Sequence, residues 1–123
     1  MTASPEQLVV MLYENAIRNL KQAADAIEIK DLATKGHSID RALAIVQHLQ
    51  TTLDIERGGT IAAELDRIYT YVISRILDGS NYLRTAPLKE AVKLLRTLLA
   101  SWETVAMQNQ RQRPTVATTA MVC

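Results

Sequence analysis

Phenylalanine is absent from these 123 residues, and four tyrosines and one tryptophan are the only aromatic side chains. Four glycines and three prolines leave few helix breakers. Alanine and leucine dominate instead, which suits helix packing better than a pleated sheet. Cysteine occurs once, as Cys123, so a disulfide framework is excluded and the chain reads as cytosolic. A surplus of one charge is also missing: Lys plus Arg is 14 against 13 for Asp plus Glu, a net of +1. No global field draws in nucleic acid or an anionic membrane, which leaves open only a local patch. No apolar run approaches the roughly 20 residues of a membrane span. The amino terminus lacks the basic start and apolar stretch of a signal peptide, so neither membrane insertion nor general secretory export is expected. With 48% apolar and 22% charged residues, the chain should form one globular domain rather than stay disordered.

What is present is helical periodicity. Ser4-Pro5-Glu6-Gln7 is a complete helix start: a capping hydroxyl, a proline at the first helical position and a glutamine at the capping-box position. Glu6 places a carboxylate where the helix dipole favours one. Val9, Leu12, Tyr13, Ala16, Leu20, Ala23 and Ile27 then share one face, with Val10, Ile17 and Ala24 beside it and Arg18, Gln22 and Asp25 towards solvent. Asp31 caps a second helix with Leu32, Ile39, Ala42, Leu43, Val46, Leu49 and Leu53 on its arc; Gly36 should fray its first half without breaking it. Gly58-Gly59 predicts a tight reversal, and Thr60 or Gly59 opens a third helix with a core arc of Ile61, Leu65, Ile68, Tyr69, Val72 and Ile76. Asp78-Gly79-Ser80-Asn81 reads as a turn. Thr85 with Pro87 starts a fourth helix that buries Leu88, Leu95 and Trp102 among others. Four helices of roughly 18–25 residues with short links predict an all-α, antiparallel four-helix bundle. The bundle is expected over residues 1–107, with a flexible tail over 108–123, where the periodicity stops.

Catalytic chemistry finds little to stand on. His37 and His48 each lack the glutamate three residues earlier that di-iron bundles use, since Thr34 and Ile45 occupy those places. Both read as surface or groove-rim residues. Cys123 could act as a nucleophile only if the tail folded into a site. Gly58-Gly59 lacks the lysine and hydroxyl residue of a phosphate loop. Asp54 and Glu56 read as solvated helix-end charges, and Arg111 with Arg113 is too small a basic set for a nucleic-acid footprint. No catalytic residue, metal site or cofactor is expected. What remains is apolar surplus: Val10, Met11, Ile17, Leu43, Tyr71, Ile73 and Leu77 lie at or beyond the edges of their arcs. Four broad helices or a homodimer could bury it, or a groove could offer it to a partner helix. Periodicity does not choose between them.

The chain resembles the flagellin-specific export chaperones, the FliS family of bacterial flagellar assembly. The resemblance is carried by Thr2-Ala3-Ser4-Pro5-Glu6, Leu8 and Met11-Leu12-Tyr13, then by Leu53-Asp54, Gly58-Gly59, Ile61-Ala62 and Leu65. Ile68-Tyr69-Thr70-Tyr71-Val72 is similar to the family's Leu-Tyr-x-Tyr-Met, and Asn81 and Trp102 fall where the family has them. Together these motifs span residues 2 to about 106. The resemblance implies a cytoplasmic helical bundle without catalysis. Its client would be the carboxy-terminal region of flagellin, disordered as a monomer, which the chaperone keeps from polymerising early and helps deliver to the flagellar type III export gate. Family members have a short aromatic arm before Thr-Ala-Ser-Pro that can lie over the client groove. Here Met1 directly precedes Thr2, so the chain lacks that arm or begins inside a longer one. The link before Pro87 is also about a residue shorter than the family pattern.

The leading expectation is therefore a client held in clefts along the first three helices, with Val10, Met11, Ile17, Leu43, Val46, Tyr71, Ile73 and Leu77 as apolar anchors. These positions come from arc geometry, and on that reading Ile17→Asp weakens client binding while leaving the fold intact. The rival from another class is a structural subunit, a self-associating bundle whose surplus is buried in a homodimer.

Overall fold

The computed structural model describes residues 4–111. They form α1 (Pro5–Glu28), α2 (Leu32–Thr51), α3 (Ile55–Asn81) and α4 (Thr85–Arg111), joined by three-residue links. Each short link reverses the chain, so neighbours run antiparallel, and α1 packs between α2 and α4 while α3 closes the ring opposite it. This is the expected all-α four-helix bundle. Helix α4 runs on to Arg111, so Gln108–Arg111, expected in the tail, are helical. Gln and Arg sustain a helical backbone without any apolar period. The rest of the expected tail lies outside the described residues.

The start of α1 is the predicted capping box: the Gln7 amide donates to Ser4 Oγ at 3.2 Å, and the Ser4 amide donates to Gln7 Oε1 at 2.9 Å. Glu6 is buried, and among the described residues its carboxylate has no hydrogen-bond partner, which leaves the positive end of the helix dipole as its visible compensation. Asp31 caps α2 as predicted, accepting from the amide and the hydroxyl of Thr34 at 3.1 and 2.6 Å. Those two bonds hold its carboxyl below the usual carboxylate range. Gly36 lies inside continuous helix.

Two sequence-level turns are placed differently. Asp54 caps α3 by accepting from the Arg57 amide, so the reversal lies at Thr52–Asp54 and the paired glycines sit one turn into the helix. Gly59 there adopts φ 57° and ψ −132°, a conformation open to glycine, and kinks α3 rather than reversing the chain. Asp78–Asn81 is the last turn of α3. Gly79 lets α4 come close: a β-carbon on it would lie 2.7 Å from Leu88 Cδ2 and 2.9 Å from the Arg84 carbonyl. The chain leaves α3 through Leu83 in the left-handed region at φ 52°, and the Arg84 amide returns to the Gly79 carbonyl at 2.9 Å. Lys30 plays the same part after α1, with the Asp31 amide on the Ala26 carbonyl.

The core runs along the bundle axis through Val9, Tyr13, Ala16 and Leu20 of α1, Ile39, Ala42, Val46 and Leu49 of α2, Leu65, Tyr69, Val72 and Ile76 of α3, and Leu88, Ala91, Leu95 and Trp102 of α4. Leu32 and Ile61, both placed on core arcs by the sequence, are exposed. Leu32 is the first residue of α2, beyond the reach of its neighbours, and α3 turns Ala62 inward in place of Ile61. At the centre, the hydroxyls of Tyr13 and Tyr69 meet at 2.6 Å across the diagonal between α1 and α3.

Candidate functional site

The eight anchor residues do not converge on one groove. Val46 is 0% exposed and belongs to the α2 core, so its assignment as a contact is corrected. Its position on the α2 arc, between Ala42 and Leu49, already set it towards the core. Ile17 is 7% exposed and packs into the core cluster on the α4-facing side of α1. Val10, two turns earlier on the same side, is half-buried against that cluster. Met11 is 52% exposed and faces the other flank, towards α2. Leu43 and Ile73 are half-buried, and Leu77 is exposed.

Two side-chain links register α2 against α3. Gln50 donates to Asp66 Oδ1 at 3.0 Å and to Thr70 Oγ1 at 2.8 Å, and Lys35 Nζ donates to Ser80 Oγ at 3.3 Å. In an antiparallel pair, those links set Leu43 across from Ile73 and Leu77, an apolar stretch between two polar stitches. Tyr71 faces α4 instead. Its ring is exposed, but its hydroxyl donates to Glu90 Oε2 at 2.6 Å, and Arg75 Nε donates to Glu90 Oε1 at 2.8 Å. The bond to Glu90 raises the Tyr71 hydroxyl above its ordinary pKa, and the Tyr71 and Arg75 donors lower the Glu90 carboxyl.

An apolar groove lies between the first half of α1 and the last half of α2, a cavity of about 410 Å³. Leu8, Met11 and Leu12 form one wall, and Leu49 with His48 and Thr52 forms the other. Leu8 is 50% exposed, so two large apolar side chains three residues apart stand open on the same wall. His48 lies at this groove, in keeping with the groove-rim reading. Sequence reasoning selected Met11 and passed over Leu8, although the three-residue spacing that pairs them on a helix surface was readable. Among the described residues no Asp, Glu, Lys or Arg lines this groove, so its chemistry is mainly burial of apolar side chains, the mode by which amphipathic helices dock.

Among the described residues no group of His, Cys, Asp and Glu is placed to hold a metal ion. Nor is any described helix long and apolar enough to cross a membrane.

The comparisons with known proteins agree on one family. Residues 1–110 match the family described as Flagellar protein FliS. The chain is 34% identical over 104 residues to the flagellar secretion chaperone FliSB of Pseudomonas aeruginosa, covering 85% of this chain and 82% of that one. It is 33% identical over 107 residues to the flagellar secretion chaperone FliS of Salmonella typhimurium, covering 86% and 79%. With the protein of the same name from Bacillus subtilis it shares 29% identity over 111 residues, 90% and 81% of the two chains. Matched by the family over nearly all its length, the chain belongs to the FliS family of flagellar proteins.

Proposed function

We propose that this protein is a non-enzymatic export chaperone of the cytosol that holds the disordered carboxy-terminal region of flagellin, keeps it from polymerising and assists its delivery to the flagellar type III export gate. The observation that carries this reading is the open apolar wall of Leu8 and Met11 beside α2, in a chain whose relatives bear the name flagellar secretion chaperone. A client helix laying apolar anchors at helical spacing into this groove gains burial free energy of about 25 cal/mol per Å². Ordering a disordered segment offsets part of that gain, so a client can cover a large surface and still be released. The apolar stretch of Leu43, Ile73 and Leu77, on the seam between α2 and α3, offers the client a second contact. Val10 and the ring of Tyr71 lie on other flanks, and contacts there require a client that wraps the bundle.

Titration calorimetry with a carboxy-terminal flagellin peptide from the same bacterium, followed by circular dichroism of the mixture, tests the reading. A saturable one-to-one heat, a negative heat-capacity change and a gain in helix are expected. Leu8→Asp combined with Met11→Asp should weaken binding at least about tenfold, since each substitution sets a carboxylate in the apolar contact. No heat from the folded, monomeric protein would defeat the proposal. A dimer whose mass is unchanged by the peptide would favour the self-associating subunit.

A further inference from the structure

The second flank of α1 is built of different chemistry. Between the last half of α1 and the first half of α4 runs a trough of about 640 Å³, continued towards Leu99 by a smaller recess that shares Lys21 and Arg96 with it. Its floor is apolar, with Leu20, Ala24, Leu88 and Val92. Its rims are cationic: Arg18 and Lys21 on α1, and Lys89, Lys93 and Arg96 on α4, all exposed. Glu14 and Asp25 are the only carboxylates among the lining residues, which leaves the trough at +3 while the whole chain carries +1. Among the described residues, salt bridges involve Arg57 and Arg75 alone, so none of the five rim cations is neutralised by one. Only Arg18 has a side-chain partner, Asn15.

The geometry points to a second docking site, for an acidic amphipathic helix of a partner protein. Lys89, Lys93 and Arg96 recur at four and three residues and so form one stripe along α4. A third helix seated in the trough would run beside this stripe and could meet it with carboxylates at the same spacing. From Leu88 to Leu99 the floor spans roughly 16 Å at 1.5 Å per residue, room for about three turns. The α1 rim reads Glu14, Arg18, Lys21, Asp25, with a carboxylate at each end of the cationic pair. That order fixes the register of a peptide with an acidic centre and repels a uniform polyanion at both ends, which favours a protein helix over nucleic acid or an anionic membrane. The long lysine stems can extend the apolar contact up the walls.

The terminal residues of this sequence are not acidic. Residues 112–123 hold one charged side chain, Arg113, and residues 1–3 hold none. A second copy docked two-fold through the trough would set +3 against +3.

The test uses the full chain and a labelled helix-forming peptide with leucines on one face and glutamates on both flanks, read by fluorescence anisotropy. Binding is expected at low salt and should fall at least about tenfold at roughly 0.5 M salt. It should fall by a similar factor in K93E/R96E, whose melting is expected to match the parent because neither side chain bonds another. Leu8→Asp with Met11→Asp, on the other flank, should leave it unchanged, which separates this site from the client groove. The proposal is overturned if the peptide does not bind, if a glutamine version binds as well, or if affinity survives high salt. Tighter binding to duplex DNA or to phosphatidylserine vesicles would equally overturn it.

Discussion

Helices α1 and α3 face each other across the same core and are held in place by different forces. Helix α3 is stitched along both edges by side-chain hydrogen bonds: Gln50 and Lys35 of α2 reach it on one side, and Glu90 of α4 takes Tyr71 and Arg75 on the other. Helix α1 has no such stitch. Among the described residues no exposed side chain of α1 hydrogen-bonds to α2 or α4, and its polar tie to another helix is buried, at Tyr13. A helix fixed by burial keeps its edges open, whereas polar stitches occupy the seams they close. Both grooves assigned to partners here accordingly run along α1, one apolar and one cationic.

The largest effect should come from loading a charge onto the two flanks of α1 in turn. Ile17→Asp buries a carboxylate in the core cluster and should lower stability by about 3 kcal/mol or more. This reverses the expectation from the sequence, in which Ile17→Asp weakens client binding and leaves the fold intact. Met11→Asp, six residues earlier on the open flank, should stay within about 0.5 kcal/mol of the parent. Urea unfolding measures both. Equal losses would mean that Met11 is as load-carrying as Ile17, and the contrast between flanks would fail.

An intermediate effect is expected at the polar tie between the two helices. The Tyr13 hydroxyl meets that of Tyr69 at 2.6 Å in the core. Tyr13→Phe leaves the Tyr69 hydroxyl without this partner, and Tyr69→Phe does the same to Tyr13. Each should cost about 1–3 kcal/mol with helicity retained. Burial raises the pKa of both phenols. The folded state therefore disfavours their ionisation, and the stability linked to them is present below the ordinary tyrosine value of about 10 and lost as pH rises beyond it. If neither substitution lowered the melting temperature, the tie would add nothing measurable to stability.

How much of this was legible follows from the range of each interaction. Ser4, Gln7 and Asp31 were readable as caps because a cap is a contract among residues three apart. The number and order of helices follow from 3.6-residue periodicity and short links. Gly58-Gly59 misled because glycine permits a reversal and a kink equally, and only Asp54, capping a turn earlier, decides between them. Val46 was counted as an anchor although its angle already set it on the core arc of α2. Met11 was found by its angle, and Leu8, its partner on the same wall, was not. The cationic trough was invisible, since Lys21 and Lys93 are brought together by packing and a chain carrying +1 gives no hint of a +3 patch.

The smallest effect belongs to the stitch on α3, and it tests whether that stitch stabilises at all. Tyr71 first, and Arg75 after it, favour the ionised form of Glu90 and lower its pKa in the folded state. A carboxyl lowered on folding contributes stability that is complete above the ordinary glutamate value and is lost as pH falls through the folded one. The group is solvent-facing, so screening keeps the contribution small. Melting followed from pH 7 down to about 3 should show the parent losing stability more steeply than Tyr71→Phe, because removing the hydroxyl brings the folded Glu90 nearer its unfolded behaviour. Added salt should shrink the Arg75 share of the difference and leave the share from the neutral hydroxyl. Parallel profiles for the two proteins would mean that the Tyr71–Glu90 bond adds nothing measurable. The two helices would then differ in appearance and not in how they are held, and the seam between α3 and α4 would be as open to a partner as the edges of α1.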